Sequence, residues 1–110
     1  MKQPKPYLLN ILNAVEAIAS YQPNSEEAFM NDPKSQDAIL MRLQDIGENL
    51  IILRDSFPDF WDKNSTGTWI KAIGLRNIIS HAYGKIDLAI IWTLITEDFK
   101  PFRESIEKQL

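Results

Sequence analysis

The chain of 110 residues contains no cysteine. It therefore has no disulfide framework, no thiolate zinc site and no thiol nucleophile, and a reducing compartment such as the cytoplasm fits this composition. Long uninterrupted apolar runs are also missing from the sequence. For that reason the chain is predicted to have neither a signal peptide nor a membrane span. We expect a folded cytoplasmic protein.

An excess of positive charge is missing too. Twelve lysine and arginine residues stand against fifteen aspartate and glutamate residues, which gives a formal net charge of −3. Proteins that grip nucleic acid with their whole surface neutralise many phosphates, so any nucleic-acid contact of this chain has to be local. The composition is otherwise that of a globular protein, and we expect residues 1–110 to form a single domain.

Apolar residues recur at spacings of three and four along most of the chain, which is typical of amphipathic helices. The pattern predicts a first helix at 7–21, a short capped turn after Ser25, and a long helix that begins at Asp32 and Pro33. Gly47 lies on the apolar stripe of the long helix, where its cost in helix stability indicates that a neighbouring helix approaches closely. We therefore expect an all-α fold, an up-and-down bundle of four to five helices.

The second half of the chain contains more turn-forming residues. Segment 56–68, SFPDFWDKNSTGT, is predicted to be a loop whose aromatic residues pack at the domain edge. A further main helix is predicted at about 68–83, ended by Gly84 in a left-handed cap. Asp87 is predicted to cap the last helix, and Pro101 to kink or end it.

The only histidine, His81, lies in the sequence RNIISHAYG near the end of the 68–83 helix. Residues five apart on a straight helix are separated by about 140° of rotation and about 7.5 Å of rise, so Arg76 and His81 do not share one narrow stripe. Asn77 shares a face with His81, whereas Arg76, Ser80 and Tyr83 form a neighbouring row. The segment therefore presents two adjacent polar rows.

Two interpretations of these rows are open from the residues alone. In the first, the polar side chains are satisfied groups at the domain edge, and Tyr83 simply covers the core. In the second, they cleave RNA, because histidine transfers protons near neutral pH and the guanidinium of Arg76 matches phosphate oxygens. The 2′-hydroxyl of the RNA would be the nucleophile, so that this chemistry requires no metal ion.

The residues RNIISHAY have the form Arg-x4-His-x-Tyr, and the chain resembles the HepT-like toxins of the HEPN ribonuclease superfamily. The stretch SQDAILMRLQDIGENL is similar to the family's second-helix signature around Arg-Leu-x-x-Ile-Gly-Glu. The stretch WIKAIGLRNIISHAYGKIDLAIIW is similar to the family's segment from its tryptophan to the last helix. This resemblance implies a HEPN-like symmetric homodimer, in which Arg76 and His81 of both chains line one composite cleft.

The resemblance also implies a role for each residue of the motif. His81 is expected to be the general acid or base and Arg76 the stabiliser of the transition state, with Asn77, Ser80 and Glu48 as helpers. The implied activity is that of a metal-independent endoribonuclease without a cofactor, the toxin of a toxin-antitoxin pair. Its partner is expected to be a minimal nucleotidyltransferase antitoxin that adds AMP to Tyr83.

Two other functions remain open. A non-catalytic HEPN module would dock a nucleotidyltransferase or hold a nucleotide without cutting RNA, and the negative net charge favours it slightly. A helical-bundle dimer could also have a purely structural role.

The chain departs from the family pattern at Asn49, where alanine commonly follows Ile-Gly-Glu, and in the polar segment DKNSTGTW.

Overall fold

Helices make up most of the structure, a computed structural model that describes residues 3–110. They are α1 (Lys5–Tyr21), α2 (Glu26–Met30), α3 (Pro33–Ser56), α4 (Pro58–Asn64), α5 (Gly67–His81), α6 (Leu88–Thr93) and α7 (Phe99–Glu107). A 3-10 turn at Tyr83–Lys85 follows α5, and a π-helical turn at Leu94–Asp98 joins α6 to α7. No strand occurs in this range, which confirms the all-α prediction. Within the same range, every helix is too short or too polar to cross a membrane.

Side-chain caps explain where several helices begin. Ser25 accepts a hydrogen bond from a backbone amide in the first turn of α2, and Asp32 does the same for α3. Asp87 caps α6 in the same way. Each oxygen satisfies an amide that has no partner within its own helix. The three predicted caps are confirmed.

Helix α3 is the centre of the fold, with α1 packed along one side and α5 along another. Its apolar stripe is buried as the periodicity predicts, and comprises Ile39, Leu40, Leu43, Ile46, Gly47, Leu50 and Leu53. A Cβ atom built on Gly47 would lie 2.2 Å from the Cβ of Arg76 in α5, far inside van der Waals contact. The close approach predicted at Gly47 is therefore confirmed, and it positions Arg76 against α3.

Trp69 anchors the first turn of α5 in the core. Its side chain is fully buried, and the centre of its ring lies 5.6 Å from that of Trp61. The indole N–H donates to the hydroxyl of Ser105 in α7 at 2.8 Å, so this polar group keeps a partner inside the protein. Trp69 and the contact at Gly47 together fix both the rotation and the height of α5.

The predicted boundaries around α4 and α5 are wrong in part. Segment 56–68 is not simply a loop, because Pro58 occupies the first helical position of α4, where its missing N–H costs nothing. Its aromatic residues do pack at the edge of the core, with Trp61 buried. Helix α5 ends at His81, and Ala82 rather than Gly84 is its C-terminal cap. Among residues 3–110 no glycine has a positive φ angle, so the left-handed cap is absent there.

The last helix does not end at Pro101, contrary to that part of the prediction, because α7 runs from Phe99 to Glu107 with Pro101 in its first turn. A proline inside a helix removes one N–H and crowds the carbonyl group four residues earlier. Here the carbonyl group four residues before Pro101 belongs to Glu97, which lies inside the π-helical turn at Leu94–Asp98 and not in a regular α-helix. The buried face runs on without a break and comprises Ile91, Leu94, Ile95, Phe99, Phe102 and Ile106.

Candidate functional site

His81 is exposed at the C-terminal end of α5. It shares one side of this helix with other exposed residues at spacings of three and four. We call this side the outward face of α5, formed by Ile70, Gly74, Asn77, Ile78 and His81. The imidazole is therefore accessible to a ligand or to another protein chain.

Arg76 leaves α5 in a different direction, toward α3, as its distance of five residues from His81 predicts. Its side chain is 26% exposed, and its Nη2 atom lies 3.7 Å from Oε1 of Glu48. Its Nη1 atom donates to Oδ1 of Asn77 at 3.3 Å. The Nε atom is buried and has no hydrogen-bond partner within the described residues. Asn77 thus connects the guanidinium of Arg76 to the outward face that carries His81.

Three polar contacts in a single row join α3 to the C-terminal part of α5 and to the 3-10 turn that follows it. The pairs are Arg76 with Glu48, Ser80 with Gln44 at 3.1 Å, and Tyr83 with Asp37 at 2.7 Å. Residue numbers fall along α3 as they rise along α5, so the two helices are antiparallel. We call this row the polar seam.

Two members of the polar seam, Asp37 and Gln44, are not predicted by the sequence motif. Their spacing of seven residues places them on the same row of α3 as Glu48, four residues further on. This shared position on one row of α3 is the only feature of the sequence that points to Asp37 and Gln44. The motif residues Arg76, Ser80 and Tyr83 each contact one residue of this α3 row.

The hydroxyl group of Tyr83 donates its hydrogen bond to Oδ1 of Asp37, and Tyr83 is 53% exposed. This hydrogen bond raises the pKa of Tyr83 above the ordinary tyrosine value, and partial burial and the negative charge of Asp37 add to the effect. The neutral phenol is thereby favoured, since a phenolate would lie against a carboxylate. Tyr83 is held in place and still accessible.

We expect Asp37→Asn to lower the pKa of Tyr83 toward the ordinary tyrosine value, because the amide neither repels a phenolate nor accepts as strongly. Because the pKa of Tyr83 is higher in the folded protein than in the unfolded chain, the contact stabilises the folded state fully at pH values below the pKa of unfolded tyrosine. This stabilisation is lost as the pH rises through the pKa of Tyr83 in the folded protein. The measurement is an NMR titration of ring-labelled tyrosine. Asp45→Asn, the same change on α3, is the control, and an unshifted Tyr83 in Asp37→Asn would contradict the assignment.

Metal-binding groups are sparse in this region. Within residues 3–110, no cluster of three or more histidine, cysteine, aspartate or glutamate side chains is arranged to hold a metal ion. The polar groups around Arg76 are amides, hydroxyls and the single carboxylate of Glu48. The guanidinium group among these polar groups suits anion binding.

The comparisons with known proteins agree with the resemblance of the motif. A family model described as ribonuclease HepT-like matches residues 11–109. A relative from Caldanaerobacter subterraneus subsp. tengcongensis, provisionally named an RNase, is 30% identical and aligns over 100% of this chain and 96% of its own length. A relative from Thermococcus cleftensis, named probable ribonuclease HepT, is 29% identical over 94% of this chain and 93% of its own length.

A third relative, from Methanocaldococcus jannaschii, is named a gamma-glutamylcyclotransferase and, provisionally, an RNase. It is 29% identical over 97% of this chain, and the chain spans about half of that longer protein, 47% of its length. No solved structure matches the chain significantly.

Proposed function

Because this chain belongs to the ribonuclease HepT-like family, we propose that it is a metal-independent endoribonuclease, the toxin of a cytoplasmic toxin-antitoxin pair. One observation carries the proposal above all others. The only histidine of the chain is exposed at the end of α5, and Arg76 of the same helix contacts Glu48 and Asn77. The names of the relatives as ribonucleases support the same activity.

The proposed chemistry divides between the two charged groups. His81 removes the proton of the RNA 2′-hydroxyl or donates one to the departing 5′-oxygen. Arg76 stabilises the additional negative charge of the phosphorane, since its fork of N–H donors matches phosphate oxygens. Glu48 and Asn77 restrict the guanidinium to one orientation, and Ser80 steadies the last turn of α5 through Gln44.

We further propose that the site is completed by a second copy of the chain. Arg76 and His81 leave one helix in different directions, which places them poorly for a single phosphate. The outward face of α5 exposes Ile70 by 60% and Ile78 by 42%. Apart from its chain neighbours and the backbone of its own helix, no atom lies within 4 Å of the place where a Cβ of Gly74 would be. Exposed isoleucines around a glycine favour burial against another helix at close range.

A two-fold axis beside the outward face would bring both copies of His81 together and add the arginine of the partner. The apolar surface also extends beyond α5. Ile78 and Ile90 line one small cavity of about 90 Å³ between α5 and α6, and Ile90 is exposed. The proposed symmetric dimer would bury this surface together with the outward face.

Breaking the apolar contact tests the dimer. We expect Ile78→Glu to convert the dimer into monomers and to reduce RNA cleavage with it, because the new carboxylates would meet across the two-fold axis. Light scattering measures the mass, and a fluorescent RNA measures the cleavage. Leu9→Glu on α1 is the matched control, since Leu9 has the same exposure of 42%. A dimeric, active Ile78→Glu variant would contradict this arrangement.

The proposed antitoxin is a minimal nucleotidyltransferase that adds AMP to Tyr83. The support is the exposure of Tyr83 at the end of the polar seam, which also contains Arg76. An added phosphate brings negative charge and bulk to the route by which RNA reaches Arg76. Modification would therefore neutralise the toxin.

Purified protein tests the activity directly. It is expected to cut single-stranded RNA in the presence of EDTA and to leave 2′,3′-cyclic phosphate ends, as attack by the 2′-hydroxyl requires. The negative net charge of −3 favours a non-catalytic module that binds a nucleotidyltransferase. A stable complex with that partner and no cleavage of any RNA would favour this second candidate.

A further inference from the structure

The structure places a carboxylate directly on the hydroxyl group that the proposed antitoxin modifies. Oη of Tyr83 donates to Oδ1 of Asp37 at 2.7 Å, and both residues are accessible at the surface. The contact lies at the end of the polar seam, in the 3-10 turn beyond α5, away from the Arg76 and Glu48 pair. RNA cleavage by Arg76 and His81 makes no use of it.

We propose that Asp37 is the general base for adenylylation of Tyr83, an inference that rests on the proposed function. Oη of Tyr83 attacks the α-phosphorus of a nucleoside triphosphate held by the nucleotidyltransferase. The new oxygen–phosphorus bond forms as the bond to pyrophosphate breaks, and the hydroxyl proton passes to Oδ1 of Asp37. The products are the tyrosyl-AMP ester, pyrophosphate and a protonated Asp37, which then loses its proton to water.

The chemistry of tyrosine explains why a base is needed. A phenol is a weak nucleophile, and its ionisation lies far above neutral pH in the absence of a base. The hydrogen bond to Asp37 also favours the neutral phenol in the resting protein, so little phenolate is available beforehand. Transfer of the proton during the attack avoids this limit, and the carboxylate is already within hydrogen-bond distance.

The same contact accounts for the choice of Tyr83 among the available hydroxyl groups. In the described part of the chain, Tyr83 is the only tyrosine whose hydroxyl donates to a carboxylate. Ser80 lies one turn earlier on the same seam, but its partner is the amide nitrogen of Gln44, which donates to it. An amide donor cannot remove the serine proton. Asp37 therefore selects the residue as well as activating it.

The test incubates wild type and variants of Asp37 with ATP and a saturating concentration of the nucleotidyltransferase. Mass spectrometry measures the rate of AMP addition to each protein. Asp37→Asn is expected to slow modification by about 100-fold, the contribution of a positioned general base. Asp37→Glu, which keeps the carboxylate, is expected to recover most of that loss. Asp45→Asn is the matched control and keeps the wild-type rate.

Two further measurements separate the base from a merely structural residue. Asp37→Asn is expected to bind the nucleotidyltransferase with unchanged affinity and to cut RNA at the wild-type rate. Equal modification rates for Asp37→Asn and wild type, or parallel losses of binding and cleavage, would overturn the role of Asp37 alone. A wild-type protein that gains no AMP would instead overturn the proposed antitoxin, and the inference with it.

Discussion

Replacing His81 by alanine is expected to abolish RNA cleavage and to leave the folded structure unchanged. General acid–base catalysis contributes roughly 10²- to 10⁴-fold, and the chain has no second histidine to replace the first. The side chain is exposed and makes no hydrogen bond within residues 3–110, so its removal costs less than about 0.5 kcal/mol of stability. Cleavage of a fluorescent RNA and thermal unfolding measure the two effects.

Control variants at and near His81 distinguish the loss of proton transfer from the loss of side-chain size and polarity. His81→Asn keeps a polar side chain of similar reach but cannot exchange protons near neutral pH, and we expect it to be as inactive as alanine. Lys85→Ala removes a charge from the adjacent exposed turn and is expected to retain activity. RNA cleavage by His81→Ala at the wild-type rate would reject His81 as the acid or base.

Gly47→Ala is expected both to destabilise the protein and to reduce RNA cleavage. The new Cβ would lie 2.2 Å from Cβ of Arg76 and 3.2 Å from the carbonyl oxygen of Ala72. Neither atom is the end of a flexible side chain, so α5 has to move away from α3. We expect a loss of about 1–3 kcal/mol, which exceeds the gain of up to about 1 kcal/mol in helix propensity. Arg76 and its pairing with Glu48 move with the helix.

Gly67→Ala provides the matched comparison, because no atom besides its chain neighbours and the backbone of its own helix lies within 4 Å of the position that its new Cβ would take. The same added methyl group is expected to leave stability and activity unchanged or to raise stability slightly. Chemical denaturation and the cleavage assay distinguish the two glycines. If Gly47→Ala were as stable and active as Gly67→Ala, the tight packing of α5 on α3 would not support the site.

Much of the fold follows from local features that the sequence displays. The stripe along α3 and the caps at Ser25, Asp32 and Asp87 depend on spacing and on short-range hydrogen bonds, and all are confirmed. The close approach at Gly47 is predictable for a related reason: a glycine on a buried helical stripe is unfavourable unless something occupies its space. The structure shows that the occupant is Arg76.

The errors and omissions concern boundaries and contacts that the spacing of apolar residues does not encode. Pro101 lies in the first turn of α7, directly after a π-helical turn that spacing alone does not reveal. Gly84 does not cap α5, because the backbone already leaves the helical conformation at Ala82, with φ of −146° and ψ of 47°. Asp37 meets Tyr83 across 46 residues of sequence, so no local pattern connects them. The roles of Arg76 and His81 stay predictions.

Mixing two inactive variants tests the composite site most directly. Arg76→Ala and His81→Ala are each expected to be inactive as homodimers, while their heterodimer keeps one intact arginine and one intact histidine on opposite chains. If the cleft combines groups from both chains, co-purified heterodimers recover a substantial part of the wild-type rate of RNA cleavage. Heterodimers as inactive as both parents would contradict a site shared between two copies.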